Sequence, residues 1–87
     1  NYNEVFRIFT QFIYINHHHH LGFEFISYAY YETREFDKAL YFMEKAIERA
    51  EIAANNNTLE KGLLSIIKKN YEYMKRKQIL FRWWENL

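Results

Sequence analysis

The sequence predicts an all-α domain built of antiparallel helical hairpins. Three observations carry that expectation. Proline is absent and glycine occurs twice in 87 residues, apolar residues recur at intervals of three and four, and small residues fall on the stripes where two helices would meet. Losing the usual helix breakers argues for long uninterrupted helices and against a sheet-rich or disordered chain. Aromatic residues make up 21%, with eight Phe and eight Tyr. That is more than a core this small needs, so some rings are expected to face a partner or a second copy.

The first helix is expected over Tyr2 to Ile15, where Val5, Phe6, Phe9, Phe12 and Ile13 share one broad face flanked by Tyr2 and Ile8. It fills an N-terminal segment, 1–16, as the second helix of a preceding hairpin or as a packing helix. Asn16 to His20 breaks the apolar rhythm and reads as a connection. Helices at about Leu21 to Glu32 and Asp37 to Ala54 follow, within a hairpin unit 20–54. Phe23, Ile26 and Tyr30 stripe the first of them, and Phe36, Ala39, Met43, Ala46 and Ala50 stripe the second. Glu32 to Asp37 is polar enough for a tight turn, with Asp37 as N-cap or first-turn acid. Asn55 to Asn57 makes another polar turn, and Thr58 is a suitable N-cap for a long last helix, about Leu59 to Trp84. Leu64, Ile67, Tyr71, Met74, Gln78 and Phe81 give that helix a seam of near-heptad spacing. Segment 58–87 thus reads as a long basic capping helix whose first half packs on the hairpin and whose second half projects beyond it.

Counting His20 as position one puts Phe23 at four, Ile26 at seven, Ser27 at eight, Tyr30 at eleven, Phe36 at seventeen, Ala39 at twenty, Met43 at twenty-four and Ala46 at twenty-seven. This spacing over residues 20–53 resembles the tetratricopeptide repeat. Physically, Ser27 on one helix and Ala39, Ala46 and Ala50 on the other allow a close crossing, with large side chains beside it. The pattern departs from the family's in having Ser27 for a glycine or alanine and Glu51 for a frequent proline, so the second helix is expected to run on to about Ala54. One repeat cannot bury its own faces, which makes the chain a fragment of an array or a module needing neighbours. Thr58 to Leu87 holds only a weak echo, Leu64, Ile67 and Tyr71, without the small residue.

The resemblance implies a ligand groove on the first helix of the hairpin, at Leu21, Glu24, Tyr28, Tyr31 and Glu32. That face is acidic and aromatic and has none of the Lys, Arg or Asn that grip a peptide carboxylate. It suits a protein or peptide partner with basic and apolar side chains. Burial of the tyrosines against a neighbouring repeat is the equally weighted alternative.

Charge is uneven. Residues 1–60 hold five basic and nine acidic side chains, net −4, and residues 61–87 hold seven basic and two acidic, net +5. Lys68, Lys69, Lys75, Arg76, Lys77 and Arg82, followed by Trp83 and Trp84, form a candidate basic and aromatic surface for an acidic protein, RNA or a membrane surface. The plainer reading is a solvated helix face. On a helix, adjacent tryptophans diverge by about 100°, so one of the two is expected outside the seam, as a lid or an interface anchor, with the anchor preferred.

Four consecutive histidines, His17 to His20, raise a metal site, but consecutive residues in a turn diverge and no carboxylate lies at a matching offset, so no metal is expected. No glycine-rich phosphate loop, Gly-x-Ser-x-Gly elbow, His-Glu-x-x-His or cysteine is present. Carboxylates such as Glu44 and Glu48, with Lys45 and Arg49, have helix-surface spacing and read as solvated pairs. The chain is therefore expected to be non-enzymatic and without cofactor. No apolar run reaches the about 18 residues a membrane span needs and no secretory pattern is visible, so a soluble, intracellular setting is favoured. An opening residue of Asn1 is what a processed or excised piece would show. The expected role is a protein–protein interaction or scaffold module in a larger assembly. The alternatives are a nucleic-acid-associated helical protein, ranked lower, and a fragment of a peptide-sensing regulator similar to those of Gram-positive bacteria.

Overall fold

A computed structural model describes residues 2–16, 19–59 and 62–86. Four α-helices, α1 Tyr2–Ile15, α2 His20–Glu32, α3 Phe36–Asn55 and α4 Leu63–Lys75, are followed by an extended segment and a 3-10 turn, Trp83–Asn86; no strand occurs among the described residues. Successive helices are antiparallel. Phe6 meets Tyr30 and Phe9 meets Phe25 between α1 and α2; Tyr31 meets Phe36 and Phe23 meets Phe42 between α2 and α3. Lys68 reaches Glu51 and Tyr71 reaches Glu44 between α4 and α3.

The crossing of α2 and α3 is built from small side chains. Ser27, Ala39, Ala46 and Ala50 have no exposed surface, and Ser27 Oγ donates a 2.6 Å hydrogen bond to the Ala39 carbonyl. Met74 Sδ of α4 lies 3.5 Å from the same hydroxyl, so three helices converge on Ser27. Met43, Ile67, Met74 and Leu80 fill the space beside the crossing. α1 contributes no fully buried residue. It lies against α2 at Gly22, where a Cβ would come within 2.6 Å of Ile13 Cγ1.

The last helix departs from expectation. It begins at Leu63, after Gly62 in a left-handed conformation, and ends at Lys75, well short of Trp84. The radius of gyration, 12.2 Å, is that of a packed domain of this length, about 12 Å, and the C-terminal half does not project. At α4's end Lys77 takes φ 56°, its N–H bonds to the Met74 carbonyl, and the Gln78 N–H bonds to the Tyr73 carbonyl. This is a Schellman motif, which satisfies the orphan carbonyls and turns the chain. The same motif closes α2 at Arg34 (φ 65°) and α3 at Asn57 (φ 58°). Arg34 and Lys77 carry a Cβ in a conformation that usually selects glycine, so the sequence shows no stop signal at either place.

Strain at Lys77 can be relieved by substitution at little loss of contact, because its ammonium only shares the Phe36 ring with the Arg34 guanidinium, at 5.0 and 5.6 Å. Lys77→Gly is expected to raise the unfolding free energy by about 0.5–1 kcal/mol, read as a higher urea midpoint at unchanged slope.

Candidate functional site

On α2, His20, Glu24 and Tyr28 are spaced by four residues and line up on one side of the helix. Glu24 is fully buried. Its Oε1 lies 3.1 Å from His20 Nδ1, and its Oε2 accepts from the Tyr28 hydroxyl at 2.5 Å and from the Trp83 indole N–H at 2.7 Å. The Tyr28 hydroxyl in turn accepts from Asn70 Nδ2 of α4 at 3.1 Å. Asn70 also holds the main chain of the tail in both directions: Nδ2 donates to the Phe81 carbonyl at 2.9 Å and Oδ1 accepts the Phe81 N–H at 2.7 Å. Three residues further along each segment, the Tyr31 hydroxyl donates to the Gln78 carbonyl at 2.5 Å.

The tail therefore runs antiparallel to α2, in the trough between α2 and α4. Polar grips hold its backbone and apolar contacts hold its side chains. Leu80 is buried in the core. The Trp84 ring stacks on Tyr28 at 4.6 Å and meets Phe25 edge-on at 5.1 Å. Arg82 pairs with Glu32 at 3.5 Å and with Glu85, and its guanidinium lies over Trp84.

All five residues of the expected groove, Leu21, Glu24, Tyr28, Tyr31 and Glu32, belong to this helix. Glu24, Tyr28, Tyr31 and Glu32 meet the chain's own segment from Gln78 to Trp84, which fills the trough. Glu24 and Tyr28 are buried, Leu21 and Tyr31 half-buried, and Glu32 exposed. The eight residues of the expected basic surface are divided. Lys68 pairs with Glu51 at 3.2 Å and Lys75 with Glu72 at 2.8 Å. Lys69, Arg76 and Lys77 are exposed, and Arg82 follows the tail. Trp83 and Trp84 are both half-buried and turned onto α2. The two residues open a 3-10 turn entered from the extended segment, not a continuation of α4, and both indoles reach the protein; neither is the outward anchor the sequence suggested.

His20 and Asn70 were not among the sequence candidates. The readable signal was the series His20, Glu24, Tyr28 at i, i+4 and i+8, and Glu24 stands one helical turn from His20, an offset at which no carboxylate was expected to lie. Asn70 lies on the buried stripe of α4 between Ile67 and Met74, a polar residue where only a buried partner justifies one. His17 and His18 lie outside the described residues. Among the described residues no three His, Cys, Asp or Glu side chains gather as metal ligands, and no helix is long and apolar enough to cross a membrane. Glu44 bonds to the Tyr71 hydroxyl of α4 at 2.7 Å, so this carboxylate joins two helices and is more than a solvated surface charge.

Burial first, then the charge and hydrogen bond of Glu24, raises the Tyr28 phenol well above its ordinary value of 10.0. The folded state thus keeps a proton that the unfolded chain releases near pH 10. Stability is complete below that pH and falls as pH rises above it. A spectrophotometric titration is expected to show Tyr28 ionising only as the chain unfolds, after the freely exposed tyrosines, and Tyr28→Phe is expected to flatten the alkaline limb. Glu24→Gln replaces one acceptor oxygen by an NH2 donor that faces either His20 Nδ1 or the Tyr28 and Trp83 donors, and is expected to cost about 2 kcal/mol. Denaturant unfolding measures it, together with a red shift of tryptophan emission as Trp83 leaves its partner.

No protein-family model, curated protein or solved structure matches this chain.

Proposed function

We propose that the chain is a non-catalytic recognition module of tetratricopeptide-like type, and that the trough between α2 and α4 takes an extended peptide segment of a protein partner. The observation that carries the reading is the way Asn70 and Tyr31 hold residues 78–81. They bond to the backbone, through a two-way amide contact at Phe81 and a carbonyl contact at Gln78. Such contacts select an extended strand of any sequence, while pockets for a few side chains add specificity. Here the segment is the chain's own tail, so a partner competes with it or adopts its chemistry: a buried aliphatic residue, an arginine opposite Glu32, and two aromatic rings on α2. The serine and alanine crossing and the antiparallel register of α2 and α3 support the repeat-like reading. The non-catalytic part is supported by Glu24, whose two oxygens are both engaged and which no substrate reaches.

A chain ending at Arg76 is expected to bind a labelled synthetic peptide of residues 77–87 one to one, with a dissociation constant on the order of 1 μM. Asn70→Ala in that shortened chain is expected to weaken it at least about tenfold, as loss of a buried two-way bond requires. Recognition of foreign segments further requires tolerance: a peptide keeping only Leu80, Trp83 and Trp84, the other positions shuffled, binds within about tenfold of the parent, as expected when main-chain bonds dominate. A peptide that binds only in its native sequence would leave the tail as a folding element and reject the recognition role.

A further inference from the structure

A second cavity, of about 560 Å³, opens between the start of α2, the end of α3 and the start of α4. Leu21, Ala53, Leu59 and Leu63 give it apolar walls, the Trp83 indole stands at one side, and both His19 and His20 line it. Its volume is in the range of about 300–1,000 Å³ usual for small-molecule sites.

The two imidazoles are not equivalent, because the protein binds Nδ1 of each in an opposite sense. His19 Nδ1 accepts the Leu21 N–H at 3.2 Å, which places its proton on Nε2 and makes that nitrogen a donor. His20 Nδ1 faces Glu24 Oε1, a carboxylate oxygen, so in the neutral imidazole the proton sits on Nδ1 and Nε2 is the acceptor. His20 Nε2 has no partner among the described residues. The rings stack, centroids 4.8 Å apart and 22° from parallel, so the two imidazoles stand together in one wall of the cavity, which Asn16 and Thr58 also line. Burial and the neighbouring His20 hold the His19 imidazole below its usual value, in keeping with a neutral ring at pH 7.

We infer that this cavity is a binding site for an uncharged small molecule with a flat apolar body and a carboxamide or lactam end, which donates to His20 Nε2 and accepts from His19 Nε2–H. The apolar body lies against the leucines and the Trp83 indole. A carboxylate end offers only acceptors and leaves His20 Nε2 without a donor. A bare hydrocarbon leaves both ring nitrogens unsatisfied, which disfavours it by the same logic. The inference does not rest on the peptide reading of the trough; it concerns the cavity at the N-terminal end of α2, to which the tail contributes Trp83, and is tested with the tail in place.

The full chain is titrated with benzamide, benzoate and toluene in turn, following the imidazole C–H resonances of His19 and His20 and the indole N–H of Trp83 by NMR. Benzamide is expected to give saturable shifts at all three residues with a dissociation constant on the order of 1 mM, the strength a ligand of that size reaches. Benzoate and toluene are expected to bind at least about tenfold more weakly, the discrimination one unsatisfied polar group gives. His19→Phe keeps the ring volume and removes the donor, and should bring benzamide down to the level of toluene. Ala53→Trp sets a bulky ring in the chamber and should weaken the response to all three. Equal or tighter binding of benzoate or toluene to the unmodified chain overturns the assignment, as does an unchanged benzamide response in either variant.

Discussion

A carboxylate with no access to water is the constraint on which the rest of this structure turns. Burying Glu24 costs several kcal/mol unless its lone pairs are filled, and they are filled by donors from two parts of the chain: His20 and Tyr28 on its own helix, and Trp83 from the tail. Tyr28 then passes the constraint to Asn70 on α4, and Asn70 passes it back to the tail at Phe81. A one-residue slip of the tail would break the pairing at both Phe81 and Trp83. Apolar burial of Met43, Ile67 and Met74 supplies the bulk of the stabilisation, but it is indifferent to such a slip. The polar relay is what fixes the register.

The relay also accounts for the cover over the hairpin of repeat-like spacing. A single helical pair leaves an apolar face bare. Here α2 is covered on one side by α1, on another by α3, and on the third by α4 together with the tail. Covering by an extended segment differs from covering by a helix, since the backbone amides of such a segment find no partners within it. Asn70 and Tyr31 supply part of what is missing. The same device that closes the core is therefore, in chemical terms, a peptide held by its main chain.

Much of the helical framework was legible. The bounds of α1 coincide with the expected Tyr2 to Ile15, and α2 and α3 lie within one residue of expectation at each end, because a stripe of period 3.6 reports directly on which side of a helix is buried. The serine and alanine crossing was legible for a related reason: size is a local property, and a small residue on an apolar stripe has few other uses. The end of α4 was not. Lys77 supplies the left-handed residue of a motif that ordinarily announces itself with glycine, and Gln78 and Phe81 continue the seam of α4 as if the helix went on. Periodicity cannot distinguish a helical Phe81 from an extended one whose amide is held by a side chain eleven residues earlier.

What the chain by itself determined, then, is its class, the pairing of α2 with α3 and the small-residue contact between them, since each of these follows from neighbours three and four residues apart. What only the tertiary structure decided is where Glu24, Asn70 and the two tryptophans go. The bonded pairs Tyr28 with Asn70 and Glu24 with Trp83 are 42 and 59 residues apart along the chain, and a hydrogen bond over such a distance leaves no period in the sequence. It exists because a buried charge must be satisfied by whatever the folded chain brings within reach.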